Sequence, residues 1–242
     1  MKKILTVLFL LMSALGFSLT PEEIINRMDD NETYNSVRMV GRMVTEDHFG
    51  SIESSFIVYA QGENELLMEF TSAQEAGQMV LRLENKIYLF FPDAEELILL
   101  QGAALRQSMM GSDISYEDMA GENSTLDDYD VTLLGEELVD GRETYKIQMV
   151  ANKNDVAYAK QVVYVDQERF ISLKTELYSL SGRQIKEIVT SEVEREGSNW
   201  LGKKTVITDL LKGNSSTTLY MEEIELNPRL DSDLFSVDRL TF

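Results

Sequence analysis

The run Thr144–Met149, TYKIQM, alternates Tyr145, Ile147 and Met149 with Thr144, Lys146 and Gln148. Successive side chains of a strand point to opposite faces, so this period of two puts one face on a core and the other in water. The same signal recurs along the chain. It predicts further strands over residues 37–45, 54–61, 65–71, 78–83, 86–91, 96–100, 131–138, 157–166, 172–180, 183–194, 200–211 and 216–226. Gly62, Glu84-Asn85, Asp140-Gly141, Ser181-Gly182, Glu196-Gly197-Ser198 and Lys212-Gly213-Asn214 punctuate them with residues that tolerate positive φ. Connections this short join antiparallel neighbours. Eleven to thirteen such strands imply a mainly β fold: a curved antiparallel sheet that wraps on itself as an incomplete, unclosed β-barrel, because a flat sheet that wide leaves long edges.

Three strands are apolar on both faces: Ile87–Phe91 (IYLFF), Leu97–Leu100 (LILL) and Val162–Val165 (VVYV). A two-faced strand needs cover on both sides. In a barrel-like sheet one face meets a helix and the other lines an interior; in a sandwich a second sheet supplies the cover. The pattern of these strands is compatible with either.

The helix is legible ahead of the strands. Thr20-Pro21-Glu22-Glu23 combines a capping threonine, a proline at the first helical position and a glutamate that completes a capping box. A helix over 21–28 follows, with Ile24, Ile25 and Met28 on one side, so it covers an apolar surface as a lid or plug.

Residues 1–18 have the three parts of a secretory signal: Lys2 and Lys3, an apolar run from Ile4 to Leu15, and small residues at Ala14, Gly16 and Ser18. Cleavage between Phe17 and Thr20 leaves about 224 residues, 19–242, which form one β domain. The chain has no cysteine. No disulfide stabilises the fold, and no cysteine follows the signal to take a lipid anchor, so a soluble form outside the cytoplasm is expected. The net charge of −20 becomes about −22 once Lys2 and Lys3 leave. Such a balance disfavours nucleic acid and tight peripheral membrane association.

Catalytic chemistry finds little support. The single histidine, His48, stands in the turn-like Thr45-Glu46-Asp47-His48-Phe49-Gly50, without the further imidazole or thiolate ligands a metal centre takes. No nucleophile is placed for it by any motif. Carboxylate pairs such as Glu95-Glu96, Asp127-Asp128 and Glu136-Glu137 are expected by chance among 42 acidic residues. No phosphate-cradling glycine loop is present, and Lys203-Lys204 is too small a cluster for a nucleic-acid groove. The expectation is a protein that is not an enzyme and uses no cofactor or metal.

What remains is adaptable apolar material. Ten of the twelve methionines follow residue 18, and flexible thioethers suit surfaces that accept varied apolar partners. Met109 and Met110 stand in SMMGSDISYEDM, Ser108–Met119, the one long irregular piece between patterned runs. Ser115 followed by Asp118 predicts a capped helical turn there, with Gly111 as the flexible point before it. Met109, Met110, Gly111, Tyr116 and Met119, with Tyr88, Phe90 and Phe91 of the IYLFF strand, are the candidate ligand-binding and gate residues.

The same segment, with FFPDAEEL (Phe90–Leu97), YDVTLLGEELVDGRETYKI (Tyr129–Ile147) and DLFS (Asp233–Ser236), resembles the LolA-like outer-membrane lipoprotein-sorting proteins of the bacterial periplasm. The likeness covers most of the mature chain. It implies an unclosed antiparallel barrel of the LolA/LolB type, with the N-terminal helix and a short helical loop covering a hydrophobic cavity. It implies a carrier of the acyl chains of a lipoprotein or other lipid, loaded by inner-membrane transport machinery that includes RND-type exporters and unloaded to an outer-membrane acceptor. The alternative is a non-carrier accessory subunit of an RND-type exporter with a filled interior. This chain is longer and more acidic than LolA itself, which leaves the identity of the cargo open.

Overall fold

A computed structural model describes residues 19–62, 64–120, 125–153, 156–213 and 215–241; the expected signal segment lies outside the described residues. Thirteen strands form one antiparallel sheet. They are β1 Ser36–Asp47, β2 Gly50–Gln61, β3 Glu65–Phe70, β4 Met79–Leu83, β5 Lys86–Phe91, β6 Glu96–Leu100, β7 Tyr129–Val139, β8 Arg142–Ala151, β9 Lys160–Asp166, β10 Ser172–Tyr178, β11 Gln184–Glu196, β12 Asn199–Asp209 and β13 Ser215–Leu226. Their spatial order, β6-β5-β4-β3-β2-β1-β13-β12-β11-β10-β9-β8-β7, makes β6 and β7 the two edges. The sheet is therefore not closed. Each chain neighbour pairs with the next except across 101–128, and the long-range pairing of β1 with β13 joins the two meanders.

The helix α1, Pro21–Glu32, begins at the expected capping box: Thr20 N donates to Glu23 Oε2 at 2.8 Å and Glu23 N to Thr20 Oγ1 at 3.2 Å. It runs four residues past the expected end, to a place where Asn31 fastens it to the β11–β12 hairpin. Asn31 Nδ2 donates to Trp200 O at 2.9 Å and Trp200 N to Asn31 Oδ1 at 2.6 Å. Tertiary contact extends the helix beyond its apolar stripe.

Three apolar clusters cover the sheet. On the inner face of β1–β6, Met43, Phe56, Val58, Met68, Phe70, Val80, Ile87 and Leu89 pack beneath Met109 and Tyr116. On the inner face of β7–β9, Ile147, Met149, Val163 and Val165 pack beneath Ile24 and Ile25 of α1. On the outer face of β3–β5, Leu67 and Leu81 pack beneath Phe235 and Leu240 of the C-terminal segment. The two-faced strand β5 is thereby explained: Ile87 and Leu89 point inward, while Tyr88 and Phe90 point outward under that tail. No second sheet is needed.

Gly41 sits where the β1–β13 register shifts, opposite Phe56. A Cβ there would lie 2.5 Å from Tyr220 O and 3.1 Å from the Phe56 ring. Backbone cannot yield as a side chain does, so Gly41→Ala is expected to destabilise by about 2 kcal/mol, roughly 4–8 °C in Tm. Thermal unfolding followed by circular dichroism checks it.

Candidate functional site

Residues 101–128 connect the two edge strands in the chain, and of these 101–120 lie against the inner face of β1–β6. They are not a free loop. Ser108 and Ser115 form an antiparallel bridge, Met109 N donates to Ile114 O at 2.7 Å and Tyr116 N to Gln107 O at 3.2 Å. The result is a miniature hairpin with its tip at residues 110–113. Met110 turns the corner at φ 48° and Gly111 at φ 77°. Gly111 therefore supplies a left-handed residue to a tight turn, a conformation closed to proline and costly for other side chains. The short helix α2, Tyr116–Ala120, follows from the expected cap, with Asp118 N donating to Ser115 Oγ at 3.1 Å and Ser115 N to Asp118 Oδ2 at 2.8 Å.

Two acids fasten this plug to the sheet. Asp113 is buried, and its carboxylate accepts from Ser215 Oγ at 2.8 and 2.9 Å and from Thr217 Oγ1 at 3.0 Å. Lys212 Nζ stands 3.3 Å from it and also donates to Ser108 Oγ and Ser112 O, each at 2.8 Å. Asp118 accepts from Lys186 Nζ at 2.6 Å and from Tyr158 OH at 2.5 Å. Burial pushes the Asp118 carboxyl up, but the Lys186 ammonium and the hydrogen bonds from Lys186, Tyr158 and Ser115 outweigh it and hold the group below its ordinary value. Burial, then the Asp118 charge, pushes the Tyr158 phenol far up, so it stays a donor. Arg82, inward on β4, adds a third tie by donating Nη1 to Met119 O at 3.5 Å.

The structure divides the candidate residues. Met109 is 1% exposed and is part of the core, with Tyr116 buried beside it. Met110, Met119 and Phe91 are half-buried at the margin of that cluster. Phe91 also borders a surface depression of about 370 Å³, with Gln78, Pro92 and Glu96. Tyr88 and Phe90 are not brought to this site. They lie on the outer face with Phe235, because residues one apart on a strand face opposite ways. Sequence reading grouped Tyr88, Phe90 and Phe91 at one site; the strand's period of two separates Tyr88 and Phe90 from Phe91.

Between the two inner clusters the inward positions of β11–β13 are Ile188, Thr190, Thr205, Ile207, Leu219 and Met221, fixed by the pairs Ile188↔Ile207, Thr190↔Thr205 and Thr205↔Leu219. Ile207 is buried and the other five are half-buried. This strip separates the plug from α1. Sequence reading missed it, because both faces of β12 carry mixed residues and its pattern does not mark the inward one; it likewise missed Asp113, Lys186, Lys212 and the tertiary partner of Asp118, pairings that span about 70 to 100 positions. Among the described residues no group of three or more His, Cys, Asp or Glu is placed to hold a metal. His48 is exposed in its turn, its ring 3.7 Å from that of Phe49. No helix among the described residues is long and apolar enough to cross a membrane.

A family profile described as that of an uncharacterized protein matches residues 62–241. A search of curated protein sequences finds no match. Among solved structures, an outer-membrane lipoprotein-sorting assignment belongs to a Vibrio parahaemolyticus domain that is similar at TM-score 0.82 and 18% identity, over 91% of this chain and 97% of that one. A DUF1329 family protein from Desulfovibrio piger is similar at TM-score 0.84 and 22% identity, over 92% of this chain and 100% of that one. A LolA superfamily protein from Nitrosomonas europaea is similar at 0.75 and 22%, with coverage of 92% and 100%. These likenesses are of fold.

The depressed Asp118 pKa carries a pH dependence. A carboxyl lowered in the folded state stabilises fully above its unfolded value of about 3.9, and that stability is lost as pH falls through the lower folded value. Asp118→Asn leaves Lys186 buried without its partner, which is expected to cost about 3 kcal/mol at neutral pH and to flatten the acid limb. Urea unfolding from about pH 2 to neutrality measures both; a variant as acid-sensitive as the parent chain would remove Asp118 from the account.

Proposed function

We propose that this chain, which belongs to the uncharacterized-protein family whose profile matches residues 62–241 and has a LolA-like fold, is a periplasmic carrier, not an enzyme, that shields the acyl chains of a lipoprotein or other lipid between the envelope membranes. The observation that supports this reading is the half-buried apolar strip of Ile188, Leu219 and Met221 between a core-anchored plug and a covering helix. An extended chain laid along it exchanges water for methyl, methylene and thioether contacts on both flanks. Each methylene is worth about 0.8 kcal/mol, so sixteen carbons gain on the order of 12 kcal/mol gross, without a polar anchor. The charged or polar end of the cargo stays outside.

Release is the harder step, because a gain of that size implies slow spontaneous exchange. The plug is the element suited to change it. Met109 holds it in the core while Met110, Gly111 and Met119 stand at its margin, so a displaced tip uncovers the strip without dismantling the fold. Inner-membrane machinery, including RND-type exporters, is the donor in this reading and an outer-membrane component the acceptor. An accessory role in such an exporter, with the strip closed by a protein partner, is the competing reading.

A fluorescent fatty-acid analogue is expected to bind the delipidated protein saturably and to be displaced by phospholipid or lipopeptide. Leu219→Trp, which fills the strip, should weaken that binding at least ten-fold with a modest change in Tm. Met110→Ser should cost about 1 kcal/mol of binding, whereas Met109→Ser should cost 2–5 kcal/mol of stability instead. Folded protein that binds no analogue would favour the accessory reading.

A further inference from the structure

Three hairpin tips stand side by side on one rim of the sheet. In the strand order β2-β1-β13-β12-β11-β10, the connections β1–β2, β12–β13 and β10–β11 are consecutive. Register places them at the same end, through Glu46↔Ser216, Lys186↔Asp209 and the hydrogen bond from Leu210 N to Ile185 O at 2.9 Å. Six strands about 4.8 Å apart make an arc of about 24 Å. Along it project Phe49, 86% exposed, Ile52 at 62%, Leu180 at 95% and Leu211 at 56%. Two of the turns are built to hold them out. Asp47 Oδ1 accepts from Phe49 N at 2.7 Å and Gly50 N at 3.1 Å, and Asp209 Oδ1 accepts from Leu211 N at 2.8 Å and Lys212 N at 3.3 Å. The carboxylates turn back to their own backbone and the apolar side chains are left at the apex.

The tips themselves carry no acid. Residues 48–52, 179–183 and 210–213 contain no Asp or Glu in a chain with 42, and they carry Arg183 and Lys212. The flanking acids Asp47 and Asp209 are occupied as above, and Glu53 pairs with Arg42 at 3.4 Å. The more distant negative charge of the body is screened beyond about 8 Å at physiological salt, so at contact the apolar apices and Arg183 project ahead of the acids at the feet of the turns, Glu46, Asp47 and Asp209. We propose that this rim docks on a bilayer containing anionic phospholipid, with Phe49, Leu180 and Leu211 entering the interface and Arg183 meeting headgroup phosphate. A fluid bilayer closes around separate protruding side chains, whereas a protein partner would have to supply a pocket for each. The surface goes beyond the carrier reading and does not require it. It also abuts the plug, since Lys212, next to Leu211, holds Ser108, Ser112 and Asp113.

Flotation of the mature protein with vesicles of phosphatidylglycerol and phosphatidylethanolamine tests the proposal. The parent protein is expected to float with them, and Phe49→Ser, Leu180→Ser, Leu211→Ser combined should partition at least ten-fold less. Arg183→Glu should weaken binding about three-fold to these vesicles and leave binding to phosphatidylcholine vesicles unchanged. Phe49→Trp in a Trp200→Phe background provides a single-residue readout if the triple variant folds poorly: its indole emission should shift to the blue on the vesicles. A parent protein that does not float, a folded triple variant that floats as well as the parent, or an F49W emission that does not move would overturn it. Fatty-acid binding measured on the same proteins keeps the two readings apart: retained binding by a parent protein that ignores vesicles would sink the docking rim and leave the carrier standing.

Discussion

The burial of Met109 beneath the inner face of β1–β6 is the contact on which the architecture depends. Thirteen antiparallel strands cannot leave their inward apolar faces in water, and β6 and β7 do not pair to close a filled barrel. Residues 101–120 resolve both demands at once. They span the open seam and supply Met109 and Tyr116 as the missing inner layer, while α1 does the same for β7–β9. With the plug removed, Phe56, Phe70 and Ile87, each almost fully buried, would face solvent.

The plug is held by two unlike kinds of force. Met109 contributes non-directional burial, which tolerates small displacements. Asp113 and Asp118 contribute directional, low-dielectric contacts to Ser215, Thr217, Lys186 and Tyr158, which are made or lost as units. A segment tethered by a broad apolar contact at one point and by discrete polar ties at others has a natural pivot. The half-buried strip over β11–β13 lies directly beside those ties, and the lysine that makes one of them stands in an exposed rim turn. Fold, site and rim thus share residues.

Chain order and local chemistry made much of this legible in advance. The strand pattern anticipated all thirteen strands, although β2 begins at Gly50, four residues before its expected start; turn residues marked six of the connections, and Thr20-Glu23 and Ser115-Asp118 announced both capped helices. These features are local: a strand's alternation or a cap's hydrogen bonds are encoded within a few residues. The two-faced strand IYLFF also stated correctly that two covers were required.

Which cover goes on which face was beyond the sequence. Tyr88 and Phe90 read as equals of Phe91, and only the wrapping of the C-terminal segment over the outer face assigns them to Phe235 instead of Met109. The partners of Asp113 and Asp118 lie about 70 to 100 residues away, and nothing in a run of carboxylates says which two will be buried. The alternation, turns and caps were determined by the sequence because their energies are local. The plug, the strip beside it and the rim of exposed tips were decided by tertiary structure, because each exists only where the closing of β1 on β13 brings distant strands together.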